Sequence, residues 1–288
     1  MPRIVRAGSL EGGPIADGTA ATLPLVYFDL VRLERGEEHR LRLPGFESVI
    51  VVLSGNVDLR IGEVEFEDLG GRKDVWSGLA EGGYVPVDVE ACATARVDGT
   101  EIAIAGGRWE ETYEPFRIGP DDIEMVDVGS RETGSRRRIF HVLGQATKGR
   151  VGNLLVSELY ADPGCWSGYP PHKHDAEHDG EETLHEELYH YRFEPSAGFG
   201  GQFWYGEDRV PQAVMTRHGD TFLLDAGYHP TVTSPGHQGY IFTILVGKHQ
   251  RPLMQRFDER HGYLMDKIPG LQAMRDMFSG ADRADETV

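Results

Sequence analysis

"YPPHKHDAEHDGEETLHEELYHYRF" (Tyr169–Phe193) holds five of the twelve histidines of a 288-residue chain. Between His174 and Tyr189 it also carries seven carboxylates. His172 and His174 sit two apart behind a double proline, a Glu-rich loop follows, and Glu187 then opens an apolar and aromatic run. Side chains alternate faces along a strand, so His172 and His174 project to one side, while Glu187, Tyr189 and Tyr191 share a face of the next extended segment. If the loop lets the two segments pair, two imidazoles and a carboxylate converge on one point. The competing reading is an unusually acidic surface loop. The residues from Asp175 to Glu182 are expected to be solvated, since their mixed spacing lacks the regular alternation and fixed glycine of a calcium loop. His178, His185 and His190 fall in that loop or on the opposite face and are expected to be non-ligands.

Working outward, extended segments dominate. "SVIVVLSGNVDLRI" (Ser48–Ile61) reads as two β-runs hinged at Ser-Gly-Asn, a hairpin signal. Short Val, Ile and aromatic runs recur on both sides of Tyr169–Phe193 with turn residues between them, the pattern of a β-sandwich or barrel. Helical periodicity is weak until after Pro252, where one or two short helices are expected. The closing "SGADRADETV" is polar and expected to fray. The two halves echo one another: "EGGYVPVDVEACATA" (Glu81–Ala95) has the cadence of "HGDTFLLDAGYHPTVTS" (His218–Ser234). An internal duplication of one β-module explains the echo, with a junction between Pro115 and Arg138.

Composition narrows the partners. A net charge of −18 argues against nucleic acid, because phosphate binding needs clustered Lys and Arg. The run Arg136-Arg137-Arg138 is too short to alter that and is expected to solvate the start of a strand. Only two cysteines occur, Cys92 and Cys165, which argues against a disulfide scaffold and a cysteine-rich zinc site. The opening "MPRIVRAGSLEGG" lacks a signal-peptide core, and there is no apolar run long enough to span a membrane. A cytoplasmic protein without membrane contact is the expectation.

A fourth candidate ligand is His229, just past a glycine in "DAGYHP" at a turn into another strand. Three histidines and one glutamate on strands suit a divalent transition metal, with zinc, manganese and iron left open. The ordered set His172-Lys-His174, Glu187-Leu-Tyr189 and Gly227-Tyr-His229-Pro resembles the two-part metal motif of the cupin superfamily. The longer text "SGYPPHKHD", "EELYHYRFEPSAGFGGQFWYGED" and "AGYHPTVTSPGHQGYIFTILVG" resembles the 5-deoxy-glucuronate isomerase family of myo-inositol catabolism, over nearly the whole chain and most clearly from Arg136 to Gly247. Two departures stand out: the loop between His174 and Glu187 is longer than usual, and Asp225-Ala226 replaces a proline common before the Gly-Tyr-His turn.

The resemblance implies an all-β protein of two tandem cupin-type barrels, with a degenerate module over 1–115 and a metal-binding one over 116–288. In the first module His39 lacks a second histidine two residues on, Glu90 stands where the late histidine is expected, and Glu47 alone mimics the ligand glutamate, so one metal per chain is expected. The implied reaction is the aldose–ketose conversion of 5-deoxy-D-glucuronate to 5-dehydro-2-deoxy-D-gluconate. It requires a proton carrier, for which Tyr189, Tyr191, Gln202 and Asp225 are candidates. It also requires a cation for the carboxylate of the sugar acid, for which Arg192, Lys248 and Arg251 are candidates and Lys173 a weaker one. Open alternatives are a 4-deoxy-5-keto-uronate isomerase, a metal-dependent oxygenase, and a non-catalytic sugar-acid-binding protein. Exposed sheet edges in a two-module β protein point to a homo-oligomer.

Overall fold

The strand Phe46–Ser54 is buried at every position up to Leu53, and its β-branched residues run without alternation, as in a strand covered on both faces. It marks the middle of a six-stranded sheet in a computed structural model that describes residues 3–9, 12–206 and 209–279. Of the tail expected to fray, all but Ser279 lies outside those residues.

The chain divides into two compact units, each nearly all β. One unit is Leu10–Glu124 with His141–Val156; the other is Met1–Ser9, Met125–Phe140 and Ser157–Val288. A single boundary between residues 115 and 116 does not describe this division. The short strand Arg3–Val5 counts with the C-terminal unit because it pairs antiparallel with Thr221–Leu224.

The duplication heard in the sequence is visible in the topology. In the N-terminal unit Val26–Leu33, Phe46–Ser54, Glu81–Val85 and Thr100–Arg108 belong to the six-stranded sheet. Glu38–Leu41, Asn56–Ile61, Val64–Gly70 and Ala91–Ala95 form a four-stranded one. In the C-terminal unit Leu154–Ala161, His185–Glu194, Thr221–Leu224 and Gln238–Gly247 lie in a seven-stranded sheet. There Trp166–Ser167, Phe199–Gly206, Arg209–Arg217 and Thr231–Thr233 make the four-stranded one. The order in which the chain visits the two sheets, and the neighbours within each, are the same in both units.

This topology corrects the hairpin expected at Ser48–Ile61. Phe46–Ser54 and Asn56–Ile61 do not pair with each other; they lie in different sheets. Gly55, with φ +81°, turns the corner between them, and a Cβ there would meet Thr100 Oγ1 at 2.4 Å. The Ser-Gly-Asn signal was a sheet-switching bend, which needs the same left-handed backbone as a tight turn.

In each unit the core is filled by side chains from both sheets. Ile50, Val52, Ile102 and Ile104 meet Leu59, Ile61 and Ala93 in one. In the other, Tyr189, Tyr191, Phe193, Phe222 and Ile241 meet Trp204. Fully burying side chains of this size contributes about 1.5–3 kcal/mol each. The expected helices after Pro252 are a 3-10 turn at Glu259–Leu264 and one α-helix, Leu271–Ser279, which buries Leu271, Met274 and Phe278. Among the described residues no helix is long and apolar enough to cross a membrane.

Candidate metal centre

His172 lies on the two-residue strand His172–Lys173, paired with Arg256–Phe257. The Glu-rich loop then returns the chain to His185–Glu194, a central strand of the seven-stranded sheet. The His185 N–H donates to the His174 carbonyl at 2.9 Å, which fixes His174 beside the start of that strand. His229 arrives through the Gly227 turn. Gly227 has φ +94°, and a Cβ there would meet Tyr205 O at 2.7 Å, so the close approach admits glycine alone.

The three imidazoles are held in one way. Nδ1 of His172 faces Pro170 O at 3.2 Å, that of His174 faces His185 O at 3.0 Å, and that of His229 faces Gly227 O at 2.8 Å. A carbonyl only accepts, so in each ring Nδ1 carries the proton and Nε2 presents a lone pair. Backbone anchoring of this kind is how metal-binding histidines are oriented. Nε2 of His174 lies 3.0 Å and Nε2 of His229 3.1 Å from the same oxygen, Glu187 Oε2. All three groups are buried, and their ligand atoms lie within 4.8 Å of one another.

One proton between His174 and Glu187 satisfies a single contact. His229 Nε2 then has no hydrogen-bond partner among the described residues, although it is buried against a carboxylate oxygen. Two nitrogen lone pairs and an anionic oxygen meeting away from water constitute a donor set for a cation, and the chemistry of that set fits a divalent transition metal. Burial works against the charge of Glu187, but the imidazoles of His174 and His229 beside it hold the carboxyl well below the usual carboxylate range. Burial, followed by the neighbouring imidazoles of His229 and His174, pushes His172 well below its ordinary value.

The structure thus brings together three of the four expected ligands and sets the fourth beside them. The His172 ring centroid is 5.0 Å from that of His229, while its Nε2 accepts from Gln255 Nε2 at 2.9 Å. Gln255 was not foreseen; 83 residues separate the two in the chain.

The other expected site residues divide sharply. Tyr189 lines a pocket with His172, Glu187 and Gln255. Burial, then the charge of Glu187, raises the Tyr189 phenol well above its ordinary value. Tyr191 donates to Gln202 Oε1 at 2.5 Å, and Gln202 Nε2 donates to His229 O at 2.8 Å, so this pair supports the His229 turn. Asp225 is exposed at the end of Thr221–Leu224. Arg192 alternates onto the face of His190, opposite Glu187 and Tyr189, and Lys248 is exposed. Arg251 is buried, with its carbonyl facing His185 Nε2 at 3.3 Å.

Two expectations are corrected. The acidic loop is not wholly solvated: Glu182 is fully buried and accepts from Lys173 Nζ at 3.0 Å and from the backbone N–H of Asp175 at 2.8 Å. Asp175 in turn accepts from Gly227 N at 2.8 Å, tying the loop to the His229 turn. Arg137, expected at a solvated strand start, is fully buried.

In the N-terminal unit Glu47 is also fully buried, yet it accepts from Tyr84 Oη at 2.8 Å, Gly152 N at 2.7 Å and Leu154 N at 2.9 Å. Those donors satisfy it without a cation. Among the described residues His174, Glu187 and His229 are the one group that could hold a metal ion.

Both the strand order and the solved structures it resembles define a cupin-type β protein. An oxalate decarboxylase of Bacillus subtilis superposes over 89% of this chain and 80% of its own, with TM-score 0.58 at 12% identity, a likeness of fold alone. A crystal structure of an IolB-like protein from Salmonella typhimurium LT2 is nearer, with TM-score 0.83, 27% identity and coverage of 91% of this chain and 98% of that one. The KduI/IolB family model matches residues 6–264. A protein of Geobacillus thermodenitrificans named 5-deoxy-glucuronate isomerase is 31% identical over 84% of this chain and 86% of its own. One of Bacillus subtilis with the same name is 29% identical over 78% and 82%. The chain belongs to the KduI/IolB family and is an isomerase.

Proposed function

We propose that the protein is a metal-dependent aldose–ketose isomerase that converts 5-deoxy-D-glucuronate to 5-dehydro-2-deoxy-D-gluconate in myo-inositol catabolism. The observation that carries the metal dependence is the meeting of His174 Nε2, His229 Nε2 and Glu187 Oε2 with no protein donor assigned to His229. His174, Glu187 and His229 would hold the ion, with His172 beside them as the fourth ligand. When bound, a divalent cation polarises a carbonyl and stabilises the oxyanion that develops next to it. The substrate assignment rests on the named relatives, which match most of both chains.

The chain's own residues supply the rest. The walls of the pocket are largely apolar, with Ile139, Leu159, Ile241 and Leu245, and they exclude water from a reactive intermediate. Tyr189 keeps its proton under the influence of burial and of Glu187, so its hydroxyl would donate a hydrogen bond to oxygen at the reacting end of the sugar. Gln255 stands over His172 with an amide for a substrate hydroxyl.

The test is turnover of 5-deoxy-D-glucuronate to a ketose, read with metal content per chain. The expected result is one metal per chain, with loss of both metal and ketose formation in His174→Ala and His229→Ala. Unchanged turnover after demonstrated metal removal would refute the metal dependence, and no ketose from the metal-loaded protein would refute the substrate.

A further inference from the structure

A charge without a counter-charge borders this pocket. Arg137 begins the strand Arg137–Leu143 and is 2% exposed. Nη1 donates to Ser135 O and Nη2 to Tyr169 O, both at 2.9 Å, and Nη2 lies 3.9 Å from the Met274 sulfur. A guanidinium has five N–H donors. Among the described residues no carboxylate pairs with this one; its partners are two backbone carbonyls and a thioether. Burial lowers its pKa to about 10, so it remains cationic at neutral pH. A buried charge is costly unless paired, and here the protein offers two neutral carbonyls and a thioether in place of an anion.

Its position says what the partner is. Arg137 lines the same pocket as His172, Glu187, Tyr189 and Gln255, and among the described residues it is the one Lys or Arg that does so. Tyr189 and Met274 line the same pocket, with His172 and Glu187 among its other walls. A ligand filling the pocket would place one end at the histidines and the other at Arg137.

We propose that Arg137 is the carboxylate-binding residue of this pocket and selects sugar acids over neutral sugars. The planar fork of the guanidinium suits a carboxylate, and the contacts to Ser135 O and Tyr169 O fix its plane in advance. The assignment deepens the isomerase reading and rests on it for the orientation of the substrate, with the carbonyl end at the histidines.

The experiment is calorimetric titration of the metal-loaded wild type, Arg137→Met and Arg137→Lys with D-glucuronate and with neutral D-glucose, alongside metal content. The wild type is expected to bind glucuronate at least tenfold more tightly than glucose. Arg137→Met should lose that preference with metal content unchanged, and Arg137→Lys should restore part of it. A purely structural arginine would alter stability without moving the ratio between the two sugars. Equal affinity of the wild type for both, no affinity for glucuronate, or a preference that survives in Arg137→Met would overturn the assignment. The wild-type comparison decides even where a variant does not fold. A protein that prefers uronates through Arg137 but forms no ketose from 5-deoxy-D-glucuronate would refute the isomerase reading and leave this one standing.

Discussion

Gln202 shows how a residue can govern a centre it does not touch. Its amide nitrogen holds the His229 carbonyl and its amide oxygen takes the Tyr191 hydroxyl. Removing it leaves two buried polar groups unsatisfied on the turn that aims His229, and supports of this kind typically contribute 10–100-fold to metal affinity. Gln202→Leu is therefore expected to weaken metal retention by about tenfold or more, measured by competition with a chelator, while the far-UV spectrum stays that of a β protein. Unchanged retention would show that the Gly227 turn aims His229 unaided. At this scale the convergence of His174, Glu187 and His229 was legible, because strand alternation and a Gly-x-His turn fix directions from local sequence. Gln202 was legible as a member of the site but not in its role, since only the fold reveals that its amide is spent on His229 O and Tyr191. Gln255 and Arg137 were not legible. One reaches His172 from a segment read as helical, and the other hid within a basic triplet whose outer members, Arg136 and Arg138, are only half-buried.

Among elements, the loop from Asp175 to Glu182 has the largest gap between composition and role. Its carboxylates suggested a solvated connection, yet Glu182 is the point on which Lys173 and the backbone N–H groups of Asp175 and Ala176 converge. Removing one partner of a buried ion pair costs about 3–5 kcal/mol. Glu182→Gln keeps the shape and some of the acceptors, so a loss of about 3 kcal/mol is expected from urea denaturation. Metal retention should loosen as well, because Asp175 links the same loop to Gly227. A variant as stable as the wild type would mean that the loop only spans a gap. Burial of Glu182 could not be read from the sequence, because its spacing from Lys173 carries no strand or helix periodicity. Phe46–Ser54 was easy to recognise as a strand, but its partner was not, since Gly55 serves a hairpin and a sheet-switching corner equally well.

Over the whole molecule, the repeated strand order shows what a duplicated module keeps and what it gives up. Both units bury a glutamate near the start of a central strand, but Glu47 is satisfied by a tyrosine and two backbone amides, whereas Glu187 faces imidazoles. Duplication was audible in the sequence because turn and strand cadence survives when ligands do not. The interleaving of the units was not, because pairing between distant segments leaves no local trace. Global stability should also fall in acid, and one buried histidine of the N-terminal unit contributes to that fall. Burial lowers the pKa of His141 to about 4, against an ordinary value of 6.5. Its folded form disfavours the proton, so the contribution is complete above pH 6.5 and is lost as the pH falls toward 4, to the extent of about 3 kcal/mol. His141→Gln should make the fall in denaturation midpoint between pH 6.5 and 4 shallower, and an unchanged slope would assign the acid sensitivity to the buried histidines of the C-terminal unit. The pairing of Arg3–Val5 with Thr221–Leu224 has a consequence for biosynthesis. The strand Arg3–Val5 leaves the ribosome more than 200 residues before the one it joins, as the Arg6–Asp220 separation of 214 shows. That sheet therefore cannot acquire this edge until Thr221–Leu224 has been made, and the nascent chain must carry an unmatched strand until then.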